Sequence, residues 1–343
     1  MNLPMAPSPT VSPALTADEI SALTSEVRAL AAQQNAVILA HNYQVPEVQD
    51  AADYVGDSLG LSRRAADVEA DVIAFCGVHF MAETASILSP HKRVLIPDLD
   101  AGCSLADSIT AEQLSAWQAR FAPARPVTVM YVNTTAEVKA LTDYCVTSSN
   151  AVKVVEHILE EHGPDTPILF GPDMWLGAYV QKELGLQGSG TFHIWDGECH
   201  VHAGIRPSDI TAMRADHPDA DFLIHPECGC STQVMEYVAA GDIATEGVHM
   251  LSTGGMLDYA KEHVGHGGTA IMATETGMLH QLRMAAPDVD FVAANERASC
   301  KYMKMITLPK LRDCLRDLSG EVKVDPVLAE RARLPIERMV AIG

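Results

Sequence analysis

Residues 36–55 read AVILAHNYQVPEVQDAADYV, residues 127–145 read VTVMYVNTTAEVKALTDYC, and residues 221–239 read DFLIHPECGCSTQVMEYVA. Each begins with a short apolar run of the length of a buried strand. Each run ends in polar residues and opens an amphipathic helix. The polar ends fall at His41, Asn133 and His225, at equal intervals along the chain. A recurrence at fixed spacing is the signature of a repeated structural unit.

Further sets of three follow in the same order. VGDSLGLSRRA (55–65), VTSSNAVKVV (146–155) and LSTGGMLDYA (251–260) are small-residue loops that lead into helices. VIAFCGVHFMAETASIL (72–88), PILFGPDMWLGAYVQKEL (167–184) and TAIMATETGMLHQLRMA (269–285) form the third set. RVLIPDLDAGCSLAD (93–107), TFHIWDGECHVH (191–202) and DFVAANERASCKYM (290–303) form the fourth. Every member of this last set carries a cysteine just past its apolar run: Cys103, Cys199 and Cys300. Strands alternating with helices imply parallel sheets covered by helices. The expected fold is therefore α/β: three similar parallel-sheet units of about 100 residues in a pseudo-threefold arrangement. The expected divisions are a tail over 1–16, a first unit over 17–113, a second over 114–207 and a third over 208–310. A helix from 311 to 343 is expected to pack back on the first unit. Thr16, with Glu19 three residues on, has the form of a capping box for the first helix.

Ligands of parallel α/β units bind beyond the carboxyl ends of the strands. The polar residues singled out above all fall there, so the three cysteines can converge on one axis. Any one cysteine reads most simply as a small buried hydrophobe. Equivalent placement in three repeats reverses that reading. Four thiolates would close a structural zinc or iron–sulfur site, whereas three leave a position open for Lewis-acid chemistry. Of the other five cysteines, Cys76, Cys145 and Cys314 lie in core-like patterns. Cys228 and Cys230 form a CxC near the site, as spare thiols or filler. Ser58, Ser148 and Thr253 each sit where a helix opens; they read either as N-caps or, as a set, as anion-binding hydroxyls. His41, Tyr43, His225 and Glu227 are candidate acid–base groups, with desolvation able to raise a glutamate toward neutrality. A single histidine at a strand end more often has a structural role, and the chain holds 14.

A formal net charge of −21 argues against nucleic acid as a partner. If the ligands are anions, the attraction must be local, from helix N-termini, a few donors or a metal. No apolar run approaches the ~20 residues of a membrane span, and the N-terminal residues lack the pattern of a signal peptide. The expectation is a cytoplasmic protein with no membrane partner.

Nine motifs, AHNYQ, GDSL, DLDAGCSLAD, MYVNTTAEVKA, TSSNA, GPDMWLGAYV, CHVH, HPEC and MKMITL, closely resemble those of the quinolinate synthase (NadA) family, in order from about Asn35 to Leu311. The resemblance implies three α/β domains around one [4Fe–4S] cluster. It implies condensation of iminoaspartate (iminosuccinate) with dihydroxyacetone phosphate to quinolinate, with loss of phosphate and water, in de novo NAD biosynthesis. It assigns Cys103, Cys199 and Cys300 as cluster ligands. It assigns His41, Ser58, Tyr131, Asn133, Ser148, His225, Glu227 and Thr253 as substrate-binding positions, and Tyr43 as a proton-transfer residue. A functional link to the enzyme that produces iminoaspartate is also implied. Read without the resemblance, the residues leave two alternatives: a zinc hydrolase or lyase with three cysteine ligands, or a non-enzymatic protein that binds small anions.

Overall fold

The structure, a computed structural model, describes residues 15–240 and 246–342. Most of the tail expected over 1–16 lies outside the described residues. Three four-stranded sheets dominate. The first comprises β1 (Ala36–His41), β2 (Tyr54–Gly56), β3 (Val72–Cys76) and β4 (Arg93–Leu95). The second comprises β5 (Val127–Tyr131), β6 (Tyr144–Val146), β7 (Ile168–Gly171) and β8 (Phe192–Ile194). The third comprises β9 (Asp221–Ile224), β10 (Val248–Met250), β11 (Thr269–Ala273) and β12 (Asp290–Ala293).

The strand orders are β2-β1-β3-β4, β6-β5-β7-β8 and β10-β9-β11-β12, one topology used three times. All strand pairs within these sheets are parallel; in the first sheet Ile38 lies opposite Ala74, and in the second Val129 lies opposite Phe170. The central strands are continuous apolar runs because helices cover both their faces. VIAFC of β3 and ILFG of β7 are buried at every residue. In this strand order the chain reverses direction across the sheet between the first and third strands, which opens a crevice at their carboxyl ends.

The start of the first described helix is capped as the sequence suggests. Thr16 caps the helix Ala17–Gln33, accepting from the Glu19 N–H at 3.3 Å, while the Glu19 carboxylate accepts from the Thr16 N–H at 2.7 Å. One terminal helix is expected from Leu311; the chain forms two, Leu308–Asp317 and Pro326–Ile342. The break is built at Leu318 and Gly320, both at positive φ. At Gly320 the backbone runs against β4: its carbonyl accepts from the Ile96 N–H at 2.9 Å, and a Cβ there would lie 2.1 Å from the Ile96 carbonyl oxygen. Only glycine fits both the φ and the approach. Val322 then donates to the Val94 carbonyl, covering the edge of the first sheet.

Helix Leu308–Asp317 packs against Ala17–Gln33, and helix Pro326–Ile342 packs on helices of both the first and second units. Its side chains Ala332, Ile336 and Met339 are fully buried. Its last carbonyls, which have no partner within a helix, accept from both sides. Arg63 donates to the Val340 oxygen at 2.9 Å and Asn150 to the Met339 oxygen at 2.9 Å. Among the described residues no helix is long and apolar enough to cross a membrane.

If this helix holds the first two units together, Ile336→Ala should lower the unfolding free energy by about 2–5 kcal/mol, the usual range for such a truncation. Chemical denaturation followed by circular dichroism checks this, and an unchanged midpoint would remove the helix from the core.

Candidate active site

The carboxyl ends of the strands meet at one cavity. At the end of β1 come His41 and, two positions on, Tyr43; at the end of β5 come Tyr131 and Asn133; after β9 come His225 and Glu227. The loops after β2, β6 and β10 bring Ser58, Ser148 and Thr253. The loops after β4, β8 and β12 bring Cys103, Cys199 and Cys300. All twelve residues singled out in the sequence line this cavity.

The hydroxyls of the second loops are not caps. Helix Ser58–Asp67 is capped by Asp57, which accepts from the Gly60 N–H at 2.8 Å. Helix Thr253–Glu262 is capped by Ser252, which accepts from the Gly255 N–H at 3.2 Å. Ser58 and Thr253 are the first residues inside these helices, so their hydroxyls are free to serve the cavity. Thr253 Oγ1 accepts from Asn42 Nδ2 at 3.2 Å, and Ser148 Oγ bonds His225 Nε2 at 3.2 Å. Asn133 Oδ1 is buried and has no hydrogen-bond partner among the described residues.

At the centre is a residue that the sequence reading passes over. His202, three positions after Cys199, bonds Glu227 Oε2 through Nδ1 at 2.9 Å. Its Nε2 lies 3.3 Å from the Tyr43 hydroxyl and 3.2 Å from Thr274 Oγ1. Its ring stacks on His225, with centroids 4.9 Å apart. The Tyr131 hydroxyl donates to the other oxygen of Glu227, and the Tyr43 hydroxyl bonds Thr274 at 2.7 Å. The only signal for His202 in the sequence is its place in CHVH. Glu275 is a second residue the sequence reading lacks. Fully buried, it accepts from the Cys300 N–H at 2.9 Å and pairs with Lys304 at 3.0 Å, which in turn donates to the Tyr43 carbonyl.

These contacts set the charges. Burial raises the carboxyl of Glu227, but His202, His225 and the bonds from His202 and Tyr131 outweigh it and hold Glu227 below its ordinary value. The direction is thus opposite to that expected from desolvation alone. Burial disfavours the charged form of His202, yet Cys199 and Glu227 together hold its pKa well above the ordinary value. Burial above all pushes the Tyr43 and Tyr131 phenols up, with Glu227 adding to it, so both stay protonated. His202, His225 and Glu227 place ligand atoms within 4.8 Å of one another, a spacing that a metal ion could use. Both Glu227 oxygens are already engaged by His202 and Tyr131, which makes the trio a proton network first.

The thiols form the other half. Burial raises Cys103 and Cys300, and the neighbouring Cys199 adds to the rise at each. The N–H groups of Ala106 and Leu105 at Cys103, and of Met303 and Tyr302 at Cys300, work the other way and favour sulfur anions. The remaining cysteines are packing groups. Cys76, Cys145, Cys228, Cys230 and Cys314 are all buried, and Cys228 donates to the Ala273 carbonyl at 2.9 Å. No lysine or arginine lines the cavity among the described residues.

Burial pushes His41 from 6.5 down to about 3 and His225 from 6.5 down to about 4, so both rings are neutral in the fold. As pH falls, the unfolded chain takes up these protons first. The stability they contribute is complete above pH 6.5 and is lost as pH falls toward the folded values of about 3 and about 4. His225→Gln should therefore make the acid side of the stability profile shallower in thermal melts between pH 7 and 4.5. A slope identical to that of the parent would show that the ring takes up its proton in the fold as it does in the unfolded chain.

A family model described as quinolinate synthetase A protein matches residues 25–341. The quinolinate synthases of Mycobacterium tuberculosis and Mycobacterium bovis are each 55% identical to this chain over 319 residues, covering 93% of it and 88% of their own length. That of a Mycobacterium species, strain KMS, is 55% identical over 319 residues, covering 93% of this chain and 91% of its own. With the threefold fold and the shared cavity, these matches mean that the chain belongs to the quinolinate synthase family.

Proposed function

We propose that this enzyme condenses iminoaspartate with dihydroxyacetone phosphate to give quinolinate, phosphate and water, with a [4Fe–4S] cluster held by Cys103, Cys199 and Cys300. The observation that carries the reading is the placement of three thiols, one from each unit, on the same cavity as the Glu227–His202–Tyr131 network. The donor set fits such a group. Buried, mutually repelling thiols need a cationic partner to ionise, and the backbone N–H groups at Cys103 and Cys300 suit metal-bound sulfur. Cys228 and Cys230 are not offered as a fourth ligand: neither lines the cavity, both are buried, and Cys228 donates to the Ala273 carbonyl. Bound there, the cluster would supply a Lewis acid at its one iron without a cysteine.

The other residues divide the remaining work. Ser58 and Thr253, at helix N-termini, and Ser148 offer hydroxyl and N–H donors to phosphate and carboxylate groups. Their reach answers the problem of a −21 chain that must attract anions. Asn133, with its unpaired oxygen, can take a donor of the substrate. Glu227, ionised, is a base. His225, neutral, accepts from the Glu227 N–H at Nδ1, so its Nε2 carries the hydrogen and can donate it on the side that now faces Ser148. The Tyr43 and Tyr131 hydroxyls stay protonated and can donate to oxygen that becomes anionic as carbonyl groups react. His41 is buried and neutral beside Tyr43, its Nδ1 accepting from the Tyr43 N–H at 3.1 Å, which leaves the far edge of the ring for substrate. The protein is proposed to act in the cytoplasm, in de novo NAD synthesis alongside an enzyme that supplies the imine.

Two measurements test this. Protein purified without oxygen should contain iron and sulfide in a ratio near one. Serine at Cys103, Cys199 or Cys300 should abolish both, while serine at Cys228 or Cys230 should leave iron content unchanged; zinc in place of iron would sink the cluster. Glu227→Gln and His225→Ala should keep their iron yet lose ~10²–10⁴ in quinolinate formation, the range expected for a positioned acid or base. Near-parental rates in both would reduce them to structural residues.

A further inference from the structure

Beside each of the three cysteines stands a residue that the chemistry above does not use. Ser104 follows Cys103, His200 follows Cys199, and Tyr302 lies two positions after Cys300. These three meet across unit boundaries. Ser104 Oγ and His200 Nδ1 share a hydrogen bond of 2.6 Å, joining the first unit to the second. The rings of His200 and Tyr302 meet edge to face, with centroids 6.3 Å apart and planes at 84°, joining the second to the third. The Tyr302 ring lies over Gly102, where an added Cβ would stand 3.7 Å from it, joining the third back to the first. Lys301 Nζ covers the same ring at 4.8 Å from its centroid. The contacts thus form a closed circle of three links.

The circle also has a place in the wall. His200 and Val201 line the cavity on one side and, on the other, an outer cleft that holds Arg206, Asn295 and Arg297. His200 is therefore part of the partition between the thiols and solvent at this end.

We propose that Ser104, His200 and Tyr302 are positioning residues: a clasp that ties the three cysteine loops together and closes the outer side of the cluster. Reagents then reach the metal through the substrate cavity and not through this wall. The inference rests on the cluster reading, and the test separates the two. A loop free to swing away would expose sulfur and iron to chelators and oxygen. A clasped one would do so only when the circle opens.

The experiment loads parent, Ser104→Ala, His200→Ala, His200→Asn and Tyr302→Ala proteins with iron and sulfide under anaerobic conditions. Each is then challenged with a strong iron chelator while the visible absorbance is followed. Ser104→Ala should bleach roughly fivefold faster than the parent, the factor that corresponds to the net loss of one hydrogen bond. His200→Ala and Tyr302→Ala should bleach faster still. His200→Asn, whose amide can take the place of Nδ1, should recover part of the difference. Anaerobic turnover before the challenge, and the melting temperatures of the metal-free proteins, should stay near the parent values; a general loss of packing would move both. Should His200→Ala or Tyr302→Ala fail to fold, Ser104→Ala decides alone, since it removes one oxygen from a partly exposed site. Bleaching at the parental rate in Ser104→Ala and in every folded variant overturns the clasp. A parent that takes up no iron overturns the cluster reading and the clasp with it.

Discussion

A strand buried on both faces has nowhere to put a polar side chain except its end. That constraint shapes the whole molecule. In β1, β5 and β9 the interior residues are apolar because helices lie on both sides, except for Thr128, whose hydroxyl accepts from Gln118; the first position free to differ is the one where the strand emerges from the sheet. His41, Tyr131 and His225 stand at such points. One sheet supplies few of them. Three sheets of the same topology, sharing a cavity, supply enough for an active site, and each adds a cysteine from its fourth strand.

The same constraint governs the electrostatics. Deep in the cavity, water cannot stabilise a charge, so charges occur only where partners hold them. Glu227 remains ionised because His202, His225 and Tyr131 surround it. His41 and His225 stay neutral because their surroundings offer too little in return. Among the described residues the lining has no lysine or arginine and uses hydroxyls, amides and imidazoles instead. These donors are weaker individually than a guanidinium, but when neutral they bring no further charge into the buried site.

Much of this was legible in the sequence, and the reasons are local. The strands show as apolar runs of fixed period, and the repeats show because four kinds of segment recur in one order. Eleven of the twelve residues that share the cavity follow from position, at or past a run or where a helix opens; Tyr131 comes only with the family resemblance. What was not legible depends on contacts between distant segments. Whether Ser58 and Thr253 cap their helices is decided by the residue before each, Asp57 and Ser252, which could equally have been a spectator. His202 reads as one histidine among 14 until folding brings Glu227 and Tyr43 to its two nitrogens. The direction in which Glu227 shifts turns on those same neighbours. The split of the terminal helix rests on the meeting of Gly320 with Ile96, more than two hundred residues away in sequence.

The helix Pro326–Ile342 has a consequence for how the molecule is made. It leaves the ribosome after all three sheets, yet it fills the seam between the first two units, and the helix before it covers Ala17–Gln33, which is made ahead of every sheet. Units emerge in order at roughly 5–20 residues per second and fold as they appear. The early ones must therefore wait, with an apolar seam exposed to water and to other nascent chains, until this helix has been made. Closure of the first unit is set by the length of the message behind it, and a ribosome that stalls late leaves behind a chain with three formed sheets and an open side.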